Sequence, residues 1–304
     1  MASANKIIAA WMLVASAAAS ASTPGDIDAR VKNLVAKVKG ALVAMPGGTF
    51  DMGDWGTDSG QYWDVDPFSR PLHKVTLDGF SMMAYKVTFE DFDVFTDANG
   101  NERVDMDPYY ANERAPKRAA GVSWYGARAY CQWLGKLSNL PFDLPTEAQW
   151  EYAARSGGKR VLFGTDNGKI ERSRNFPRTW MHGEPKPPLP DVGSFPPNPA
   201  GFYGMTEDAQ EWVLDWFSPN YYEVSPQLNP TGPQTGTEKV QRGSVGGRAE
   251  IAAMVFMRLD SVPQRLQTKY PNGIGAEKIK VAMPGYSSYN TDNFRCVVNS
   301  MSSY

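Results

Sequence analysis

The sequence predicts an α+β domain poor in regular secondary structure. Three observations lead there. Capped amphipathic helical segments crowd the first half of the chain. Short stretches of alternating apolar and polar residues flank them. After Arg155, Gly, Pro, Asn and aromatic residues break the pattern into short strands and loops. With 42% apolar and 21% charged residues over 304 positions, a sizeable core is expected and disorder is not.

Met1 to Ala21 carries one cation, Lys6, then an apolar run from Ile7 to Ala15 and small residues ending Ala19-Ser20-Ala21. This is the pattern of a cleavable signal peptide with cleavage near Ala21-Ser22. The run is shorter than the ~20 residues that span a bilayer, so the mature chain is expected in the periplasm without a membrane insertion. No Cys follows the small residues to carry a lipid.

Asp26 to Lys39 sets Ile27, Val31, Leu34, Val35 and Val38 at helical spacing, an N-terminal helix within 22–40 that docks by an apolar stripe. Alternation in Ala41–Met45 and in His73–Leu77 predicts strands, with a long ordered Gly-, Asp- and Trp-rich loop between them. Thr88 with Asp91, Ser123 ahead of Ala127, Cys131 and Leu134, and Thr146 with Gln149 mark three further helix starts. Neither a repeat nor a second composition regime follows, so 41–304 reads as one domain.

Lys plus Arg number 31 against 33 for Asp plus Glu, which gives no electrostatic reason to bind nucleic acid. Cys131 and Cys296 are the only cysteines. In an oxidising compartment they read either as a bridge closing most of the domain or as two buried thiols.

Several stretches, in order, resemble the formylglycine-generating enzyme (sulfatase-modifying factor) family. Among them are Met45-Pro46-Gly47-Gly48-Thr49-Phe50, Arg70-Pro71-Leu72-His73-Lys74-Val75, Gly121-Val122-Ser123-Trp124 and Gly201-Phe202-Tyr203-Gly204-Met205. The most specific runs from Leu144 through Thr146-Glu147-Ala148-Gln149-Trp150-Glu151 to Arg155; Asn293-Phe294-Arg295-Cys296 closes the series. The resemblance implies a C-type-lectin-like fold and a Cys131–Cys296 disulfide.

In family members that oxidise cysteine, two cysteines beyond an Arg-Gly-Gly-Ser motif hold copper, which prefers soft thiolates. Here Gln241 to Arg258 contains none, and Ser244 stands where the second Gly is expected. Met254 and Met257 read as core. Three-histidine iron, used by another branch, is out of reach of His73 and His182 alone. Neither copper nor iron is therefore expected, and no catalytic residue is assigned. The resemblance also implies structural calcium at two positions. One comprises the main-chain oxygens of Glu207 and Ala209 and the Glu211 carboxylate, damaged because Gly204 lacks a side-chain oxygen. The other comprises Asn175, the Phe176 carbonyl and Glu184. Calcium at these positions, or none, both stand as readings.

Without an oxidase centre, the expectation is a non-catalytic periplasmic binding protein on this scaffold. Trp55, Tyr62, Trp63, Tyr109, Tyr110, Tyr221 and Tyr222 are candidate partner contacts. Secreted proteins resembling the family serve as immunity proteins against lipase toxins of type VI secretion, so a secreted protein toxin, or another periplasmic protein, is the expected partner. The alternative is a periplasmic oxidoreductase acting on a small molecule or peptide, as in a siderophore-maturation branch that also lacks the cysteine pair.

Overall fold

The computed structural model describes residues 24–64, 66–104, 114–178, 189–207, 209–244, 250–269 and 279–300. Residues 1–21, expected to be a signal peptide, together with Tyr109, Tyr110, His182 and Glu184, lie outside the described residues.

Helix α1 spans Pro24–Gly40, and its stripe is real: Leu34 and Val38 are buried in the first core cluster, with Ile27, Val31 and Val35 packed against it. Lys37 holds the helix to Asp91 at 2.8 Å. Strands β1 (Leu42–Met45) and β2 (Gly48–Met52) follow, then β3 (His73–Leu77) and β4 (Phe80–Met83). The loop between β2 and β3 is ordered by buried aspartates. Asp54 accepts the backbone N–H groups of Gly56, Trp63 and Asp64, and Asp64 accepts from Ser69.

The three predicted caps are formed. Thr88 opens α2 (Phe89–Ala98) by accepting the Asp91 N–H, and Ser123 opens α3 (Trp124–Ser138) by accepting the Gly126 N–H. Thr146 and Gln149 form a reciprocal capping box on α4 (Glu147–Ala154). Between α3 and α4 lies β5 (Phe142–Asp143). Beyond α4 come β6 (Gln210–Trp216), β7 (Lys239–Gly243), β8 (Arg258–Ser261), β9 (Leu266–Lys269), β10 (Ile279–Ala282), β11 (Asp292–Asn293) and β12 (Val297–Val298).

One sheet has the order β1-β4-β12-β5 and another β11-β6-β7-β8; β2 pairs with β3 and β9 with β10. The first core cluster lies among α1, α2, α3 and the first sheet, and includes Phe92, Tyr130, Trp212 and Phe294. The second joins β2, β3, α4 and the 254–256 segment around Trp150, Phe80, Phe202 and Phe256. Cys131 on α3 and Cys296 beside β12 are joined, with Cα atoms 5.6 Å apart, so the bridge closes a separation of 165 residues. Among the described residues, no helix is long and apolar enough to cross a membrane.

Candidate functional site

The Gln241–Arg258 segment, which contains no cysteine, begins on β7 and ends on β8. In this chain those strands carry Arg242 and Arg258, both fully buried. A buried guanidinium needs several acceptors at once. Helix α4 supplies them: Glu147 and Glu151 stand one turn apart on one face, with Arg155 a turn further on. Arg242 donates to Glu147 at 2.8 Å, to Glu151 at 2.6 Å and to the Val255 carbonyl at 2.6 Å. Arg258 donates to both oxygens of Glu147, at 2.7 and 3.1 Å, and to the Phe68 carbonyl at 2.8 Å.

Glu151 is equally committed. Its Oε1 accepts the Gly53 N–H at 3.0 Å and Arg155 Nη1 at 2.9 Å. Arg155 then reaches the carbonyls of Asp51, at 2.6 Å, and Lys159, at 2.8 Å. The network therefore sews α4, β7, β8 and the loop after β2 into one body. Burial works to raise the Glu147 carboxyl, but Arg258 and Arg242 outweigh it and hold the group below the usual carboxylate range.

Asp215 on β6 caps this assembly by accepting the Glu147 backbone N–H at 2.8 Å. Its own carboxyl is pushed up to about 7, first by burial and then by the Glu147 charge. His73 on β3 lies with its ring 4.4 Å from that of Tyr222 and points Nδ1 at the Pro71 carbonyl at 3.1 Å; burial lowers its pKa. Met254 is buried and Met257 packs against the same cluster. The carboxylates here are committed to the arginines and to backbone amides, while His73 Nε2 and Arg242 Nε are buried without a hydrogen-bond partner. Among the described residues no set of three or more His, Cys, Asp or Glu side chains converges as metal ligands.

The aromatic candidates divide by environment. Tyr62 is 60% exposed and Trp63 39% exposed at the tip of the loop after β2. Arg70 stacks over the Tyr62 ring at 3.9 Å. Gly56 admits the Trp63 indole, because a Cβ there would lie 2.4 Å from Trp63 Cδ1. Trp55 instead packs edge-on against Phe256 at 5.0 Å and under Arg155 at 4.6 Å, and Tyr221 packs against the second cluster. Tyr222 is core: its hydroxyl donates to Glu147 at 3.2 Å and its ring lies under Arg258 at 4.3 Å.

At the expected calcium positions the described residues are also engaged. Both Glu211 oxygens accept from Arg295, at 2.6 and 2.8 Å, and Lys86 directs Nζ at the Ala209 carbonyl at 3.4 Å. Glu207 folds its carboxylate over Gly204, where a Cβ would meet Glu207 Oε2 at 2.9 Å. Two cations and a committed carboxylate do not fit a hard divalent ion that requires ~6–8 oxygen ligands. Asn175 accepts the Glu171 N–H at 2.7 Å and donates to Asp166 at 2.8 Å, and the Phe176 carbonyl accepts the Ser173 N–H at 2.7 Å.

The signal for the Arg–Glu network was present in the sequence as the four-residue spacing of Glu147, Glu151 and Arg155, but its partners Arg242 and Arg258 are 95 and 111 positions from Glu147. No local pattern links residues so far apart. The role of Lys86 was equally invisible, because the Ala209 carbonyl that it faces is 123 positions away.

A lectin-like α+β body pinned by a long disulfide, with acidic α4 locked to arginines from β7 and β8, defines a scaffold of the formylglycine-generating-enzyme class. Residues 30–270 match the sulfatase-modifying factor enzyme 1-like domain, and the chain belongs to that family. It is 34% identical over 225 residues to the serine/threonine-protein kinase pkn1 of Chlamydia pneumoniae, covering 66% of this chain but only 32% of that relative. It is 33% identical over 251 residues to the formylglycine-generating enzyme of Streptomyces coelicolor, covering 66% of this chain and 77% of the relative. Among solved structures, PvdO from Pseudomonas aeruginosa shares the fold with a TM-score of 0.63 at 24% identity, over 84% of this chain and 93% of that one.

Proposed function

We propose that this chain is a non-catalytic binding protein of the periplasm on a formylglycine-generating-enzyme scaffold, and that its partner is a secreted protein toxin of the lipase type, to which it confers immunity. One observation carries the reading: the Gln241–Arg258 segment, where thiols would hold copper, has no cysteine, and Arg242 and Arg258 within it are locked into α4 as structure. Such a locked base suits a scaffold that presents loops, and the loop bearing exposed Tyr62 and Trp63 is braced from below by Asp54 and Asp64.

The test mixes the purified mature protein with the secreted lipase-type toxin of its source and follows the complex by size exclusion with light scattering, together with lipase activity. A stoichiometric complex with lost lipase activity is expected. Two separate peaks with full lipase activity refute the reading. Oxygen uptake by the isolated protein with a thiol peptide, accompanied by bound copper or iron, supports the oxidoreductase alternative instead.

A further inference from the structure

Four of the segments that line a small cavity of about 20 Å³ supply Lys86, Tyr203, Gly204, Glu207, Ala209 and Asn293. They are the link between β4 and α2, the turn at 203–207, the start of β6, and β11. A divalent ion bound here would tie these segments together through their oxygens. In this chain the tie is made by side-chain cations. Arg295 donates to both oxygens of Glu211, to the Ala84 carbonyl at 2.9 Å and to the Tyr203 carbonyl at 2.7 Å. Lys86, 4% exposed, brings its ammonium to the Ala209 carbonyl.

Among the described residues here, the charges balance without a metal. Glu207 and Glu211 supply two negative charges, and Lys86 and Arg295 two positive ones, all with little access to solvent. A divalent ion added beside Lys86 would meet like charge in a medium that screens poorly, and would have to strip Glu211 from its paired guanidinium hydrogen bonds. Gly204 adopts φ +67°, a left-handed conformation in which a side chain is strained, and a Cβ there would require the Glu207 carboxylate to swing aside. Asn293 Oδ1, buried on the cavity wall, accepts no hydrogen bond from the protein. The free volume, about 20 Å³, has room for one water that would donate to this oxygen.

The structure assigns the place of the calcium ion to the Lys86 ammonium: the junction of the four segments is held by an internal cation and one water, and folding there is independent of divalent metal. Lys86 thus serves as a built-in substitute for a cofactor.

The experiment uses the full mature chain, purified without added metal. Calcium per chain is counted by mass spectrometry, and thermal unfolding is followed in EDTA and in calcium chloride, for the wild type, Lys86→Met and Asn175→Ala. The wild type is expected to melt at the same temperature in both solutions, and Lys86→Met several degrees lower in both. A calcium response that vanishes in Asn175→Ala arises at the other family position and leaves the cavity metal-free, as expected. A stoichiometric calcium ion whose removal lowers the melting point of both the wild type and Asn175→Ala overturns the assignment. So does a Lys86→Met protein that melts with the wild type in EDTA. A wild-type chain that carries no calcium upholds the assignment, and one that carries two calcium ions overturns it, even if neither variant folds.

Discussion

Asp215 on β6, buried, accepts the backbone N–H of Glu147 at the first turn of α4, at 2.8 Å. The amide favours the carboxylate, but burial and the neighbouring Glu147 charge win, and the group titrates near 7. Its folded pKa thus lies above the ordinary 3.8, so the native state binds the extra proton between these values. Stability from this group is full below about 4 and is lost as pH rises through 7, by about 2 kcal/mol between pH 5 and pH 8. Asp215→Asn keeps an acceptor for the amide. It is expected to flatten this slope in urea unfolding measured across that range; an unchanged slope would place the titration elsewhere.

The Arg–Glu network predicts a sharp contrast between interior and surface. Glu151→Gln leaves Arg242 and Arg155 facing an amide that cannot neutralise them, and is expected to cost ~3–5 kcal/mol in denaturant unfolding. Arg160→Ala removes only exposed contacts to Asp58 and Asp51, and is expected to cost less than ~1 kcal/mol. Equal losses in the two variants would mean that the buried charges are better hydrated than their burial implies.

Cross-linking positions 165 residues apart restricts the unfolded chain strongly. The double variant Cys131→Ala, Cys296→Ala is expected to lose up to ~5 kcal/mol by the chain-entropy account, with a melting point matching that of reduced wild type. Calorimetry with and without reductant reads this directly, and a reduced protein that melts like the oxidised one contradicts it.

If the loop after β2 carries the partner contact, Trp63→Ala should weaken the toxin complex by at least ~30-fold while leaving the melting point nearly unchanged, as expected for an exposed anchor. Tyr222→Phe should behave in the opposite way. It lowers stability by removing the hydroxyl from Glu147 and leaves affinity intact. Titration calorimetry on the pair separates the two roles.

Local elements were legible wherever local chemistry decides them. Thr88, Ser123 and Thr146 announce their helices because a hydroxyl three residues ahead of a free amide is itself the stabilising contact. The stripe of α1 was readable for the same reason. The sheet order was not. β12 is two residues long and pairs with both β4 and β5, which no alternation over Val297-Val298 can reveal. Tyr222 looked like its neighbour Tyr221 in sequence, yet only its hydroxyl reaches Glu147, 75 positions away. The Gly204 substitution was read as damage to a metal site; that Lys86 answers it emerges only when the two segments are seen to share a cavity.

The place of β12 has a consequence for how the molecule comes into being. Its two residues fill the middle of the first sheet, and the cysteine just before them holds α3. Neither that sheet nor the covalent loop can close before Cys296, Val297 and Val298 are in place, so one three-residue stretch couples the completion of the sheet to the formation of the bridge.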